Sequence, residues 1–573
     1  MKGRLVSANP AEGERFYLRL LLSHITGSTC FEDLYSFNGF LHPTFRKASL
    51  ERGLIENDDN LSQCLGEASL FQFLAALRRL FATMLIYCEQ GDSMGKSLDD
   101  FDLPMVDANS NFQSGEFHEV QEECSIVVED EHLRARDSLN SNQKYAYDEI
   151  MRHVDEDCPG VFFIDGPGGT GKTFLYKDLL ANIRSRGLIA LATASSGVAA
   201  NNMPEGRTAH SRFKIPLNLD NNSMCNIRKQ SGAAKLIRDE KIIIRNEASM
   251  AKRQAVEALD RTIRDIIGVA LPFGGKIMVL GDDFRQVLLV VRCGTRAQIV
   301  DSSLRMSPLW ATIKKIRLML NMRARTDPWF SEFLLRVGNG DEEAVDESFI
   351  CIPDDMTIPY ADKGKSKDAL IDAIFLSLQI NGANSDYIIS RAILSTKNEN
   401  VDEINDQLID KFSRDEKIYY SFDEAEDDKN NIYPMEFLNS LTVSGLPPHY
   451  LRLKIGCPII LLRNIDPSNG LCNGSRLICR GFQQNVIDAE IVVGQHAGKR
   501  VFLPRISLCP SEYNMFPFKM KRKLFPIRLS FSMTINKAQG QTIPNEIFTD
   551  ECITKSKQQF EYTDEHYFTN DWS

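Results

Sequence analysis

The sequence predicts an α/β fold in which a parallel sheet is covered by helices on both faces. Three observations predict it. Short β-branched runs recur with helical stretches between them: "VFFID" (161–165), "LIALATA" (188–194), "KIIIR" (241–245) and "KIMVL" (276–280). These runs are continuously apolar, as in strands buried on both faces. The first leads through a glycine-rich turn into a helix beginning near Lys172, a βαβ beginning.

Each region follows from its own pattern. Residues 1–106 carry helical spacing, with Phe16, Leu18, Leu20, Leu21 and Ile25, then "LFQFLAALRRLFATMLIY" at 70–87, so a helical N-terminal region is expected. Residues 107–138 turn acidic and poor in core formers and read as a linker. Residues 139–324 hold the first α/β domain. The logic repeats over 325–440 and 516–573, where "AILST" (392–396) leads into a helix. Between them, 441–515 shows short strands, "CPIILL", "SRLICRGF" and "AEIVV", separated by Asn, Gly and Pro turns, and reads as a small β-rich insertion.

Bulk properties narrow the class. A chain of 573 residues with 43% hydrophobic and 25% charged content is globular and long enough for roughly three or four domains. Its net charge of −11 means that any phosphate-binding groove must come from local clustering of Lys and Arg. Thirteen cysteines without a C-x-x-C pair argue for reduced thiols and against a structural metal. No apolar run approaches the roughly 20 residues of a membrane span, and the N-terminus lacks the pattern of a secretory signal.

The chemistry concentrates in a few segments. "GPGGTGKT", Gly166, Pro167, Gly168, Gly169, Thr170, Gly171, Lys172 and Thr173, stands between strand and helix as a phosphate-cradling loop must. Its backbone N–H groups and the helix N-terminus attract phosphate, Lys172 neutralises it and the Thr173 hydroxyl ligates Mg²⁺. "IIIRNEASM" (242–250) offers Glu247 to orient and deprotonate water, but places Asn246 where an aspartate would hold the magnesium shell. "GDDFRQVLLVV" (281–291) offers Gln286, an amide able to sense the γ-phosphate or the attacking water. "LATASSGVAANNMPEGRTAHSRF" (191–213) supplies Thr193, Ser196, Gly197, Arg207, Thr208, His210 and Phe213, small hydroxyls and an aromatic suited to single-stranded nucleic acid. "KMKRKLFPIRLSFSMTINKAQGQT" (519–542) sets Lys519, Lys521, Arg522, Lys523, Arg528 and Lys537 around Phe525 and Phe531, a basic patch with interleaved aromatics.

These segments, with "LNSNQ" (139–143), "NMRA" (321–324) and "TINKAQGQT", occur in the order found in the petite-integration-frequency DNA helicases, which the chain resembles. More narrowly, "EGERFYLRLLL" and "FEDLYSFNGFLHPTF" are similar to the plant helicases related to Helitron transposons. The resemblance implies two RecA-like P-loop domains, ATP with Mg²⁺ between them, and five-prime to three-prime travel on single-stranded DNA toward duplex junctions. It implies work in DNA repair, recombination and telomere maintenance, and a nuclear location, with the mitochondrion as the alternative. By the same resemblance Gln143 reads adenine, Arg323 reaches the γ-phosphate, and Thr193, Gly197, His210, Thr534, Asn536, Lys537 and Gln539 hold the strand. The insertion resembles a small barrel of the Src-homology kind.

The departures are specific. Asn246 replaces the family's Asp, Arg245 a large apolar residue, Asp282 a Gly and Leu289 a Pro. After "GQTIPNEIF" the family continues to an arginine-bearing segment that completes the ATP site. Here the chain runs into "TDECITKSKQQFEYTDEHYFTNDWS", so a shortened second domain is expected, and the nearest preceding arginine is Arg528. Two function classes therefore compete: an ATP-dependent DNA helicase, or a hydrolysis-impaired relic that binds ATP and single-stranded DNA. A small-molecule kinase would leave the DNA-contact segments without purpose.

Overall fold

The computed structural model describes residues 13–55 (without 26 and 38), 64, 66–68, 74–87, 118–549 and 559–561, with breaks at 287–288, 292–293, 347–348, 359–362, 383, 426–432, 444, 511–515 and 542. Part of the expected linker, 107–117, and nearly all of the divergent tail lie outside the described residues.

The first domain is built on helix α1 (Ser141–Glu156), strand β1 (Gly160–Asp165), helix α2 (Lys172–Ser185), strands β2 (Ile189–Ala194), β3 (Arg207–Thr208) and β4 (Glu240–Asn246), helix α3 (Arg253–Ile267), and strands β5 (Ile277–Asp282) and β6 (Lys314–Arg317). The sheet order is β3-β2-β4-β5-β1-β6, every pair parallel. Alternation along the strands explains why both faces are covered. Phe163, Ile243, Met278 and Leu280 pack with Val256, Leu259 and Ile263 of α3 on one side. Phe162, Ile164, Ile242, Ile244 and Val279 pack with Ile150 of α1 and Leu175 and Leu179 of α2 on the other. The C-terminal ends of β1, β4 and β5 thereby open on one edge, where ligands bind in open α/β sheets.

A second, three-stranded parallel sheet has Arg391–Ser395 at its centre, flanked by Ser532–Thr534 and Asn545–Phe548. Asn405, on helix Asn398–Lys411, accepts from the Ser532 N–H at 2.9 Å and donates to the Ser532 carbonyl at 3.0 Å, pinning that helix to the edge strand.

Antiparallel pairing extends beyond the expected 441–515. A five-stranded sheet runs Arg500–Pro504, Val486–Ile491, Arg476–Phe482, Pro458–Leu461, Ile527–Leu529. Phe422–Ala425 pairs with Met520–Leu524, and Glu416–Tyr420 with Tyr450–Lys454. Chain assigned by sequence to the second α/β domain, at 416–425 and 520–529, therefore pairs with the β-rich part.

This pairing reduces the basic patch: Lys519 is exposed and Lys521, Lys523, Arg528 and Lys537 partly so, but Arg522 and the aromatics turn inward. Arg522 has no exposed surface; its Nε and Nη2 donate to both Asp423 oxygens at 2.6–3.1 Å. Phe525 and Phe531 are fully buried among Ile459, Leu461 and Phe412. The alternation that looked like a basic, aromatic surface is strand alternation, with an arginine turned inward against a buried acid.

The acidic stretch also differs from a free linker. From residue 118 it forms helix His118–Cys124, whose Glu122 meets Arg207 at 2.8 Å and whose buried Glu123 pairs with Arg212. Acids that read as solvated find their counter-charges on the first domain. The N-terminal segments lie against the β-rich part: Arg19 reaches Glu436 at 2.8 Å, the Asn485 N–H donates to Glu67 at 2.7 Å, and Leu80 and Met84 pack on Val486 and Phe502.

Removing one partner of a buried ion pair leaves an uncompensated charge. Arg522→Met is expected to lower unfolding free energy by about 3–5 kcal/mol in urea denaturation. Single-stranded DNA affinity of the folded fraction should stay within twofold of the parent; a large loss with unchanged stability would restore the surface-patch reading.

Candidate active site

The turn after β1 is shaped by two glycines that no other residue could replace. Gly169 and Gly171 have φ of +79° and +77°, and an added Cβ would lie 2.3 Å from Asn321 Oδ1 and 2.3 Å from Gln143 Nε2 respectively. The Thr170 hydroxyl donates to the Pro167 carbonyl at 2.9 Å, and Lys172 Nζ folds onto the loop, donating to the Gly166 and Pro167 carbonyls. Burial lowers the Lys172 pKa, against the attraction of Asp283, Asp282 and Asp165. Gln143 closes a capping box with Asn140 and donates to the Thr170 carbonyl at 3.0 Å. Its amide braces the loop from behind, and Gln143 does not line the cavity described next.

That cavity, of about 1420 Å³, brings together Pro167, Gly168, Gly169, Thr170, Gly171, Lys172, Thr173, Asn246, Glu247, Asp282, Asp283, Gln286 and Arg323. From the second parallel-sheet part come Gln539, Gln541 and Glu546. Gln286 is brought to the loop: a Cβ on Gly168 would stand 3.9 Å from its Nε2. Arg323 follows β6 in a turn that Asn321 Oδ1 holds by accepting the Arg323 and Ala324 N–H groups at 3.0 and 3.1 Å.

Glu247 sits in the left-handed region at φ +55°, an uncommon conformation for a residue other than glycine, and turns its carboxyl into the cavity. Ser196 Oγ donates to Glu247 Oε2 at 2.7 Å, Ser195 Oγ to the Glu247 carbonyl at 2.6 Å, and a Cβ on Gly540 would press on Oε1 at 2.9 Å. Burial raises its pKa to about 7, opposed by the Ser196 hydrogen bond and assisted by the charge of Asp282. Asn246, 8% exposed, lines the cavity beside it. Arg245 points away: it has no exposed surface, it does not line the cavity, and burial lowers its pKa to about 10, with the neutral Cys225 thiol of the α3-side core nearby. Its three guanidinium nitrogens have no hydrogen-bond partner among the described residues.

The residues assigned to a DNA strand divide. Phe213 is 1% exposed inside the core of the first domain, so it has no face for a base; this assignment is corrected. Thr193 is fully buried and spends its hydroxyl on the Ile244 carbonyl at 2.9 Å. Gly197 lies where a Cβ would come within 2.4 Å of Cys472 Cβ, so it packs against the β-rich part. His210 is partly exposed, its pKa lowered by burial and by Arg245. Asn536 is exposed and Thr534 and Lys537 partly so. Burial and then Arg528 lower the Lys537 pKa to about 8, against Asp402. Gln539 is 6% exposed and lines the cavity. Arg528 does not enter the site: it donates to the Leu446 carbonyl at 2.6 Å.

Sequence reading passed over Glu546 and Gln541. Glu546 faces Arg323, with burial raising its pKa to about 8 against Arg323 and Arg476. Its only signal was an acid within a short buried strand.

The residues fit a nucleotide with its metal. The loop offers backbone N–H groups and a buried ammonium, and the side-chain oxygens of Gln539 and Gln541, buried at the cavity, have no partner within the protein. Among the described residues no three His, Cys, Asp or Glu side chains form a metal site alone. Magnesium here would be shared with phosphate oxygens and water, held from the protein by Thr173.

Residues 138–348 match the model of the PIF1-like helicase family, and 436–482 that of the DNA helicase Pif1 2B domain. The ATP-dependent DNA helicase PIF1 of Danio rerio is 24% identical over 389 residues, covering 66% of this chain and 53% of that protein. The ATP-dependent DNA helicase Pif1 of Bdellovibrio bacteriovorus is 24% identical over 391 residues, covering 66% and 76%. The chain spans about half the length of most of the curated relatives it matches. A Bacteroides Pif1 structure in complex with ADP-AlF3 and single-stranded DNA superposes with a TM-score of 0.51 at 20% identity, over 70% of this chain and 85% of that one. Candida albicans Pif1 gives 0.50 at 20% identity, over 72% and 88%. These structural likenesses establish the fold.

A buried guanidinium without acceptors costs stability. Arg245→Leu is expected to raise unfolding free energy by about 1–3 kcal/mol, read by urea denaturation, with nucleotide affinity unchanged within twofold. Destabilisation would mean that the guanidinium is satisfied.

Proposed function

We propose that this chain, whose residues match PIF1-type models in both its large parallel-sheet domain and its β-rich part, is an ATP-dependent DNA helicase. It draws single-stranded DNA five-prime to three-prime and opens duplex at junctions, the activity behind family roles in repair, recombination and telomere maintenance. Two RecA-like domains flank the ATP cleft, the β-rich part is the family's barrel-like insertion, and the helical N-terminal region braces it. The observation that carries the reading is that a phosphate loop, a general base and glutamines from the second sheet's side line one cavity.

Lys172 leaves its loop carbonyls for the β- and γ-phosphate oxygens, and the Thr173 hydroxyl would hold magnesium, whose charge would steady those oxygens. Gln286 orients the attacking water and Glu247 accepts its proton. Arg323 meets the charge developing on the γ-phosphate from its turn beside the loop. Ser196 and Gly540 connect this chemistry to DNA: both touch Glu247, and both belong to segments proposed to grip the strand with Gly197, His210, Thr534, Asn536 and Lys537.

Lys172→Ala is expected to weaken ATP binding at least tenfold in equilibrium titration. Glu247→Gln should retain binding within threefold and cut DNA-stimulated phosphate release at least a hundredfold. Unaltered nucleotide affinity in folded Lys172→Ala would sink the reading; binding without DNA-stimulated release by the parent would leave a relic.

Lys537, with a pKa lowered to about 8, is charged below that pH and neutral above it, so phosphate binding is strongest on the acid side. Affinity for an oligothymidylate at fixed salt should fall about three- to tenfold from pH 7 to pH 9. Lys537→Arg, which stays charged, should flatten that dependence; an unchanged slope would remove Lys537 from the interface.

A further inference from the structure

Asn246 ends β4 at the position where an aspartate would set a carboxylate beside the ion held by Thr173. A neutral amide there leaves the cation with one charge fewer in a site of low dielectric, where each charge counts most. A carboxylate that the family resemblance does not expect stands on the adjacent strand. Asn246 is the register partner of Gly281, so Asp282 is the next residue beyond that rung, level with Asp165 on β1.

The Asp282 side chain is 4% exposed and lines the same cavity as Lys172, Thr173, Asn246 and Glu247. Its Oδ2 accepts from the Ser249 N–H and the Ser249 hydroxyl, both at 2.6 Å, and its Oδ1 from the Asp283 N–H at 2.7 Å. All three donors are uncharged, and Ser249 belongs to the turn that directly follows Asn246 and Glu247. The turn that should present the missing acid instead orients its neighbour.

The other two acids at this edge are spent. Arg285 bridges Asp283 at 3.0 Å and Asp165 at 3.3 Å, and Arg317 approaches Asp165 at 3.5 Å. Beneath the end of β5 lies the buried Tyr176 hydroxyl, 1.5 Å from where a Cβ on Gly281 would be and without a partner among the described residues. It offers a donor to a water or oxygen at this end of the strand.

We propose that Asp282 supplies the carboxylate charge that Asn246 lacks, acting on a magnesium ion held with the nucleotide by Thr173, so that the acid has moved one strand along the sheet. It is a positioning residue. Each of its oxygens already accepts hydrogen bonds, and magnesium retains several waters, so it acts on the ion through one of them. Asn246 adds a neutral oxygen. The inference rests on the nucleotide-site reading above.

The test measures Mn²⁺ binding to the full chain with ADP, by electron paramagnetic resonance of free Mn²⁺. ADP affinity in chelator is measured alongside. Asp282→Asn is expected to weaken Mn²⁺ binding at least tenfold, and adding Asn246→Asp should restore it to within threefold of the parent, a rescue that a merely structural role would not give. Asn246→Asp alone should gain less than threefold, because the charge is already present; this arm decides if Asp282→Asn fails to fold. Mn²⁺ affinity in folded Asp282→Asn within twofold of the parent, or a tenfold gain from Asn246→Asp alone, overturns the inference while metal-free ADP binding leaves the nucleotide reading intact. No ADP binding by the parent overturns both.

Discussion

Everything at this site depends on gathering one ammonium and four carboxyls, two of them almost fully buried, at one end of a sheet. Lys172, Asp165, Glu247, Asp282 and Asp283 converge because β1, β4 and β5 run parallel and end together. An antiparallel sheet would send alternate strand ends to the opposite edge. Desolvation opposes this gathering: it raises the Glu247 and Asp282 pKa values and lowers that of Lys172. The cost is offset by local devices, the Arg285 bridge, the Ser249 donors and the glycine turn whose carbonyls receive the lysine.

The same crowding links chemistry to distant chain. Glu247 cannot shift without disturbing Ser196 Oγ, 2.7 Å away, or the space that only a glycine at 540 leaves open. Asn202 Nδ2 donates to the Gly540 carbonyl at 2.7 Å, fastening the segment of Ser196 to that of Gly540 across the cleft. The base is therefore held at the point where two segments from different sheets meet. A change in their spacing alters the environment of one carboxyl directly.

What the sequence revealed follows from the range over which its signals act. Strand β1, the glycine turn and α2 are written in consecutive residues, and the structure places them at 160–185 as read. Phe213, Phe525 and Phe531 misled because an aromatic beside basic residues looks the same whether it faces solvent or core. Only long-range packing separates the two, and the pairing of Met520–Leu524 with Phe422–Ala425, which helps to turn Phe525 inward, spans about a hundred residues. The acidic helix at 118–124 was hidden for a related reason: its partners Arg207 and Arg212 lie over eighty residues away, and charge alone does not say what it will meet. The contact of Ser196 with Glu247 needed the pairing of β2 with β4, and the place of Glu546 required both sheets at once.

The asparagine at 246 is best understood as part of a count. With Asp165 and Asp283 bound to Arg285, the charges left at the strand ends and the glycine turn are Asp282, Glu247 and Lys172, with Arg323 and Glu546 also lining the cavity. An aspartate at 246 beside these would place three carboxyls against one ammonium, and like charges close together in a poorly solvated site cannot all stay ionised. The added charge would push the Glu247 and Asp282 pKa values, both already raised by burial, up further. A protonated Glu247 is no base. Given Asp282, then, a neutral residue at the end of β4 spares Glu247 a further like charge, and the substitution that first reads as a loss keeps the proposed general base ionisable.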